Sequence, residues 1–256
     1  MRMPPIRDSF ISCLICSRRD PSFIDHLLND LNQQTLEKNQ FEVLILDNSQ
    51  EGLQGVAEKY CSSLDIQLIR SHSTEGLIGA MRNQLLQVTK GQYVLFLDDD
   101  TQIPQKDFLQ KAVELFKGGD ADIIMPHGRG LALANRPAYH YLDEYSFATR
   151  CCLYKKSILD EVGWFRENLT AYEDIDLGIR MALRRAKILK TSQPEYYHPP
   201  LYFGTLQKPL AIGQSICKLR SYYPWYFCLL IIYNIMDFFN INLILETQLR
   251  SLIQHP

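Results

Sequence analysis

Tyr93-Val94-Leu95-Phe96-Leu97 is an apolar run that ends abruptly in Asp98-Asp99-Asp100. Bounded by Lys90-Gly91 on one side and by charge on the other, it is too short for an interior helix and reads as a buried central strand. The carboxylates then stand at its carboxyl end, where open α/β sheets place their ligands. Side chains alternate across a strand, so Asp98 and Asp100 are expected on one face, about 6 to 7 Å apart at ~3.3 Å per residue, with Asp99 opposite. Like charges that close repel unless something cationic lies between them, and a hard divalent ion with oxygen ligands answers that need. A solvated turn capping the strand is the competing reading, and the triplet taken alone leaves both open.

Ahead of that strand, apolar runs alternate with segments of helical period. The expected order is a strand over Phe10 to Cys16, a helix from Pro21 to Gln34, a strand over Phe41 to Leu46, a helix over Leu53 to Tyr60, a strand over Ile66 to Arg70 and a helix over Leu77 to Val88. Such alternation builds a mostly parallel, Rossmann-like sheet with helices on both faces. Neither G-x-G-x-x-G nor G-x-x-x-x-G-K-S/T follows the first strand, which disfavours a dinucleotide dehydrogenase or a P-loop kinase. With 256 residues and 46% hydrophobic content the chain can bury a substantial core. A net charge of -2 offers no whole-molecule attraction for nucleic acid, so no nucleic-acid partner is expected.

The seven cysteines are odd in number and follow no secretory signal, which favours a reducing, cytoplasmic compartment. Cys13 and Cys16 form a C-x-x-C, but three residues apart on a strand they face opposite sides and read as buried thiols.

Asp47 ends the second strand, where an aspartate either accepts a hydrogen bond from a base or ribose or closes an Asx turn. In Gly76-Leu77-Ile78-Gly79-Ala80-Met81-Arg82-Asn83 the small residues allow a helix to approach the sheet, and Arg82 offers a fork for phosphate or carboxylate unless it is a surface residue. After the acids come a helix over Gln105 to Lys117, a strand over Asp122 to Met125, a loop from Pro126 to Pro137, a strand over Thr149 to Tyr154, a helix over Lys156 to Glu161 and an aromatic turn at Gly163-Trp164-Phe165. The next helix runs to Ala186, with Thr170 and Glu173 as a capping box and Asp176 paired with Arg180 one turn on. Asp174 has no such structural use, and in a cleft it is the natural proton acceptor. Arg184, Arg185, Lys187 and Lys190 read as a solvated helix end. His198, beside Pro199-Pro200, is either a structural histidine or the completing ligand of an oxygen-rich metal site.

The tail has a different character. Ile212, Ile216, Leu219 and Tyr223 recur at helical spacing, and the aromatic, aliphatic stretch from Tyr222 to Tyr233 is followed by Asn234, Asp237, Asn240 and Asn242. That falls short of the roughly 20 clean residues a membrane span needs. An element lying on a membrane surface through residues 212–245, a flap on the catalytic domain and a homo-oligomer contact all remain open.

Six segments, in this order and spacing, resemble family 2 glycosyltransferases of the GT-A fold: Phe10 to Arg19, Val43 to Ser49, Gly79 to Asn83, Lys90 to Asp100, Gly163 to Glu167 and Tyr172 to Leu177. The resemblance covers about the first 200 residues. It implies an inverting transfer of a sugar from a nucleotide-diphosphate donor, a UDP-sugar foremost, to a hydroxyl of a glycan or lipid-linked acceptor, assisted by Mn or Mg. Carried over residue by residue, it places Asp47 at the nucleobase, Arg82 at base or phosphate, and Asp98 and Asp100 at the D-x-D pair, the first towards ribose and the second towards the metal. Cys16, Arg18 and Asp99 complete the donor side, and His198 matches a late histidine that ligates metal. Asp174 matches the catalytic base, while Glu167, Trp164 and Glu173 fall on the acceptor side.

The family's first strand ends in a Thr-Tyr-Asn-Arg type of sequence, whereas this chain has Cys16-Ser17-Arg18-Arg19. Arg18 can stack on a base where the tyrosine is missing. The expected organisation is a nucleotide-binding half over residues 1–100, an acceptor-binding and catalytic half over 101–205 and a helical extension over 206–256, for which the inner face of a membrane is one of the placements that remain open. Three competitors remain, one of them a membrane-surface interaction protein that would rest only on the tail. A sugar nucleotidyltransferase would need a glycine-rich basic loop after the first strand, which Ser17-Arg18-Arg19-Asp20 lacks. A non-catalytic nucleotide-sugar-binding relative would have lost the base or the D-x-D pair.

Overall fold

The computed structural model describes residues 7–18, 20–71, 77–129, 151–197 and 207–225. In chain order its elements are β1 (Arg7–Ser17), α1 (Pro21–Asn32), β2 (Phe41–Asp47), α2 (Gln54–Tyr60), β3 (Ile66–Arg70), α3 (Ile78–Val88), β4 (Gly91–Asp98) and α4 (Phe108–Gly118). They continue as β5 (Ile123–Arg129), β6 (Leu153–Lys155), α5 (Lys156–Val162), α6 (Glu173–Leu183), β7 (Ile188–Tyr197) and α7 (Gln207–Tyr222). The strands form one sheet in the order β3-β2-β1-β4-β6-β5-β7. β6 runs antiparallel to β4 and β5, and every other pairing between neighbours is parallel.

The period-2 alternation of the strands decides the layers. Ile11, Cys13 and Ile15 of β1, with Tyr93, Leu95 and Leu97 of β4, bury one face against α1 and α4. Leu14 and Cys16, with Val94 and Phe96, pack on the other face against Met81 and Leu85 of α3 and Leu177 and Met181 of α6. The C-x-x-C is thus split between two layers, as strand geometry requires. Burial pushes the Cys13 thiol far up, and raises that of Cys16 to about 12 against the lowering effect of Arg82, so both stay protonated.

Several boundaries differ from the sequence reading for identifiable reasons. β5 passes through Pro126, which sits at a shift in register between Met125 and His127, a place where proline costs no ladder hydrogen bond. His127, Gly128 and Arg129 pair onward with Glu195, Tyr196 and Tyr197, so the expected loop begins as strand and its remainder lies outside the described residues. Thr149 and Arg150 also lie outside them, and the paired part of that strand is Leu153–Lys155. Lys190 belongs to β7, and Lys187 pairs with Asp120.

By compactness the chain divides into residues 1–206 and 207–256. In the second unit, α7 buries Ser215 and Leu219, while Leu210 and Trp225 are exposed. Among the described residues no helix is long and apolar enough to cross a membrane.

At the amino ends of the parallel strands, Ser12 Oγ donates to Glu42 Oε1 at 2.6 Å and accepts from the Gly91 N–H at 2.9 Å. The Lys90 ammonium reaches Glu42 Oε2 at 2.9 Å, so this polar knot ties β1, β2 and β4 together opposite the acidic end. A Cβ on Gly91 would lie 2.6 Å from the Ser12 nitrogen and 2.7 Å from the Tyr93 carbonyl oxygen, both backbone atoms. Gly91→Ala is therefore expected to lower stability by about 1 to 3 kcal/mol through overpacking, read as a fall in the urea midpoint. An unchanged midpoint would show that the strands can part at no cost.

Candidate active site

Parallel register brings the carboxyl ends of four strands level. Cys16 is paired with Asp98, Ser17 with Asp47, and Asp47 with Arg70. Three of these strands therefore deliver an acid or a base to the same edge.

Asp47 is buried and saturated. Its Oδ1 accepts from the Ser49 N–H at 2.9 Å and the Ser49 hydroxyl at 2.6 Å, an Asx turn, and its Oδ2 accepts from the Leu53 N–H at 2.9 Å and Arg70 at 2.5 Å. Burial alone would raise its pKa, but the hydrogen bonds from Ser49, Leu53 and Arg70 outweigh it and hold the carboxyl below its ordinary value. The Asx turn expected as one of its two readings is formed. Arg70 was not foreseen, although its position at the end of β3, in register with Asp47, was the available signal.

β4 ends at Asp98, and the Thr101 N–H closes a turn onto the Asp98 carbonyl at 3.0 Å. The strict alternation expected through Asp100 therefore stops two residues early. Asp98 remains 31% exposed, while Asp99 and Asp100 fold inward and are buried. Asp99 Oδ2 accepts from the Ser17 hydroxyl at 2.9 Å, so the residue standing where the resembled family has an aromatic is hydrogen-bonded into the acidic turn. Arg18 lies with Nη2 3.6 Å from the Met81 sulfur.

Arg82 is not a surface residue. Its guanidinium, 8% exposed, reaches Glu173 Oε1 at 2.6 Å through Nη1 and Asp98 Oδ1 at 3.6 Å through Nη2. It also lies 5.4 Å from the Phe165 ring centroid and 5.9 Å from that of Phe96. Burial opposes the charge, but Glu173 and Asp98 more than restore it, and the group stays cationic. One turn of α3 organises the second half of the site. A Cβ on Gly79 would meet the Arg166 carbonyl at 3.0 Å and Glu173 Cβ at 3.5 Å, so the glycine lets α3 approach the 165–173 segment rather than the sheet. Asn83 accepts from the Phe165 N–H at 3.0 Å and donates to the Phe165 carbonyl and Glu167 Oε1, each at 2.9 Å.

The aromatic turn packs as expected, with Phe165 edge-on to Phe96 at 5.3 Å. Trp164 is fastened to α5 by its Nε1–H donating to Asp160 Oδ1 at 2.7 Å. Asp176 pairs with Arg180 as expected and also accepts from Arg166 Nε at 3.0 Å, joining the turn to α6. The capping box does not form. α6 starts at Glu173, its N-cap is Tyr172 in the left-handed region (φ 60), and no side chain caps it. Glu173 is committed to Arg82 instead. Asp174, half-buried in the first helical turn, accepts from the Ile175 N–H at 2.8 Å.

His198 lies outside the described residues. Tyr197, just before it, exchanges two backbone hydrogen bonds of 2.9 Å with Gln102, two residues beyond Asp100. Among the described residues no three His, Cys, Asp or Glu side chains form a ready metal cage. Carboxylates at one turn nevertheless suit a Mg- or Mn-type ion, which takes one or two of them and completes its shell with water and substrate phosphates.

The family model described as Glycosyl transferase family 2 matches residues 12–165. The chain is 26% identical over 200 residues to the poly(ribitol-phosphate) beta-N-acetylglucosaminyltransferase TarS of Staphylococcus aureus, a match covering 73% of this chain and 35% of that protein. It thus spans about a third of that relative's length. To the glycosyltransferase AglE of Haloferax volcanii it is 24% identical over 222 residues, covering 80% and 72%. The structure of TarS with UDP-GlcNAc superposes with a TM-score of 0.67 at 24% identity, covering 77% of this chain and 60% of that one. The mannosyltransferase PcManGT of Pyrobaculum calidifontis with GDP-Man and Mn2+ gives 0.66 at 15%, covering 86% and 67%. At these identities the likeness shows the fold, the GT-A arrangement.

The saturated Asp47 makes a pH-dependent contribution. Its folded pKa is depressed, so the stabilisation is complete above the unfolded value of about 3.9 and is lost as pH falls through the folded one. Asp47→Asn is expected to lower the urea midpoint at pH 7, with the difference narrowing below about pH 4. A pH-independent difference would assign the effect to packing.

Proposed function

We propose sugar transfer from a UDP-sugar to a glycan or lipid-linked hydroxyl for this chain, which belongs to glycosyl transferase family 2. The observation that carries the reading is the reach of Arg82, which touches Asp98 at the end of β4 and Glu173 at the start of α6. One buried side chain thereby joins the acidic turn to the helix that carries Asp174. UDP is favoured by the likeness to TarS, whose structures hold UDP-GlcNAc and UDP.

In this mechanism Asp98 faces the ribose, and Asp100 and His198 would hold a divalent ion. When bound, that ion supplies neutralisation of charge on the departing diphosphate. The acceptor oxygen attacks the anomeric carbon from the side opposite the diphosphate, the bond from that carbon to the diphosphate oxygen breaks, and the configuration inverts. The hydroxyl proton passes to the Asp174 carboxylate. Glu167, held by Asn83, and Trp164, held by Asp160, present the acceptor side. The turn at Asp47 and Ser49 and the guanidinium of Arg18 border the base. Residues 212–245 contribute a peripheral contact at the inner face of a membrane, a reading supported by the exposed Trp225 and by the nearby Lys218 and Arg220.

Asp174→Asn is expected to reduce transfer by about a hundredfold or more while leaving UDP binding close to that of the unaltered protein. Retained turnover would remove Asp174 from the chemistry. Asp100→Ala is expected to weaken UDP binding in the presence of Mn2+ and to abolish the loss of affinity that a chelator causes. Full sensitivity to chelator in that variant would place the metal elsewhere.

A further inference from the structure

Glu173 is buried, stands at the first position of α6, and has its carboxylate 2.6 Å from Arg82. It is therefore poorly placed to meet an acceptor. The helix it opens is held by unusual means. Tyr172, just before it, adopts φ 60 and ψ 21, a conformation that an aromatic residue rarely takes without support from its surroundings, and no side chain caps the helix. Glu173 Cβ lies against Gly79, and Arg82 stands one turn further along α3.

We infer that Glu173 is a positioning residue: through its ion pair with Arg82 it fixes the first turn of α6 and shields Asp174 from the Arg82 charge. The inference rests on the sugar-transfer reading and deepens it. Among the described residues Arg82 from α3 and Cys152 and Tyr154 from β6 act on Asp174, Glu173 adjoins it on the same helix, and Asp98 shares Arg82 with Glu173. Burial raises the Cys152 thiol to about 12 and the Tyr154 phenol well above its usual value, so both are neutral, whereas Arg82 and Glu173 carry charge. A lone cation would favour the Asp174 anion and weaken it as a base, and a lone anion would do the reverse.

The test is the pH dependence of kcat in three variants, with KM for donor and acceptor measured alongside. Glu173→Gln keeps the shape and removes the charge. It should move the acid limb of the kcat profile to lower pH and cut kcat by about ten- to a hundredfold with both KM values nearly unchanged. Arg82→Gln should move the limb the opposite way. The double variant removes both charges of the pair and leaves the partly exposed Asp98 as the remaining acid; it should return the limb towards its original position, and decides the matter together with Glu173→Gln if the single Arg82 variant does not fold. A raised acceptor KM with unchanged kcat in Glu173→Gln, or limbs that do not move, would overturn the positioning role while leaving sugar transfer intact. Absence of turnover in the unaltered protein would overturn the sugar-transfer reading itself, and this role with it.

Discussion

A buried guanidinium between two carboxylates is the constraint on which the site depends. Arg82 is stable as a cation in a nearly dry position because Glu173 lies 2.6 Å away, Asp98 lies 3.6 Å away, and the rings of Phe165 and Phe96 stack near it. Removing one partner from a buried pair typically costs about 3 to 5 kcal/mol, since the other is left charged and poorly solvated. The arrangement therefore favours one relative placement of β4, α3 and α6. Gly79 permits the close approach, and Asn83 fixes the aromatic turn one step further along the same helical face.

The same geometry divides labour between neighbouring acids. Glu173 and Asp174 are adjacent in sequence, yet one is turned into α3 and the other sits half-buried at the helix start. Asp98, Asp99 and Asp100 are also consecutive, and they separate into a partly exposed acid facing Arg82, a buried one held by Ser17 and a second buried one. Consecutive carboxylates repel, and the turn after β4 relieves that repulsion by giving each a different environment.

The fold was legible in the sequence because apolar runs such as Phe10 to Cys16 and Phe41 to Leu46 are too short for interior helices and are bounded by polar and turn residues, and β3 matches its expected bounds, Ile66–Arg70. Pro126 misled because a proline at a register shift looks in sequence like a strand end. In the site, the acids themselves were legible as charge at the ends of apolar runs. Their partners were less so: Ser17, Arg70, Asn83 and Arg166 act across 82, 23, 84 and 10 residues of sequence, distances over which only strand register or helix docking brings groups together. Thr170 and Glu173 match a capping box in spacing, but an ion pair with a buried arginine prevailed over a local backbone hydrogen bond, as buried charge requires.

The central claim, that this acidic strand edge is a metal-assisted site for a nucleotide diphosphate, is tested most directly by thermal melting with UDP, GDP, ADP and CDP, each with Mn2+ present or chelated. A ligand that binds the native state alone stabilises it by RT ln(1 + [L]/Kd), about 2.7 kcal/mol at a hundredfold excess over Kd, which is a shift of several degrees. A rise with UDP that vanishes on chelation is expected. A folded protein whose melting temperature none of the four nucleotides moves would contradict the claim.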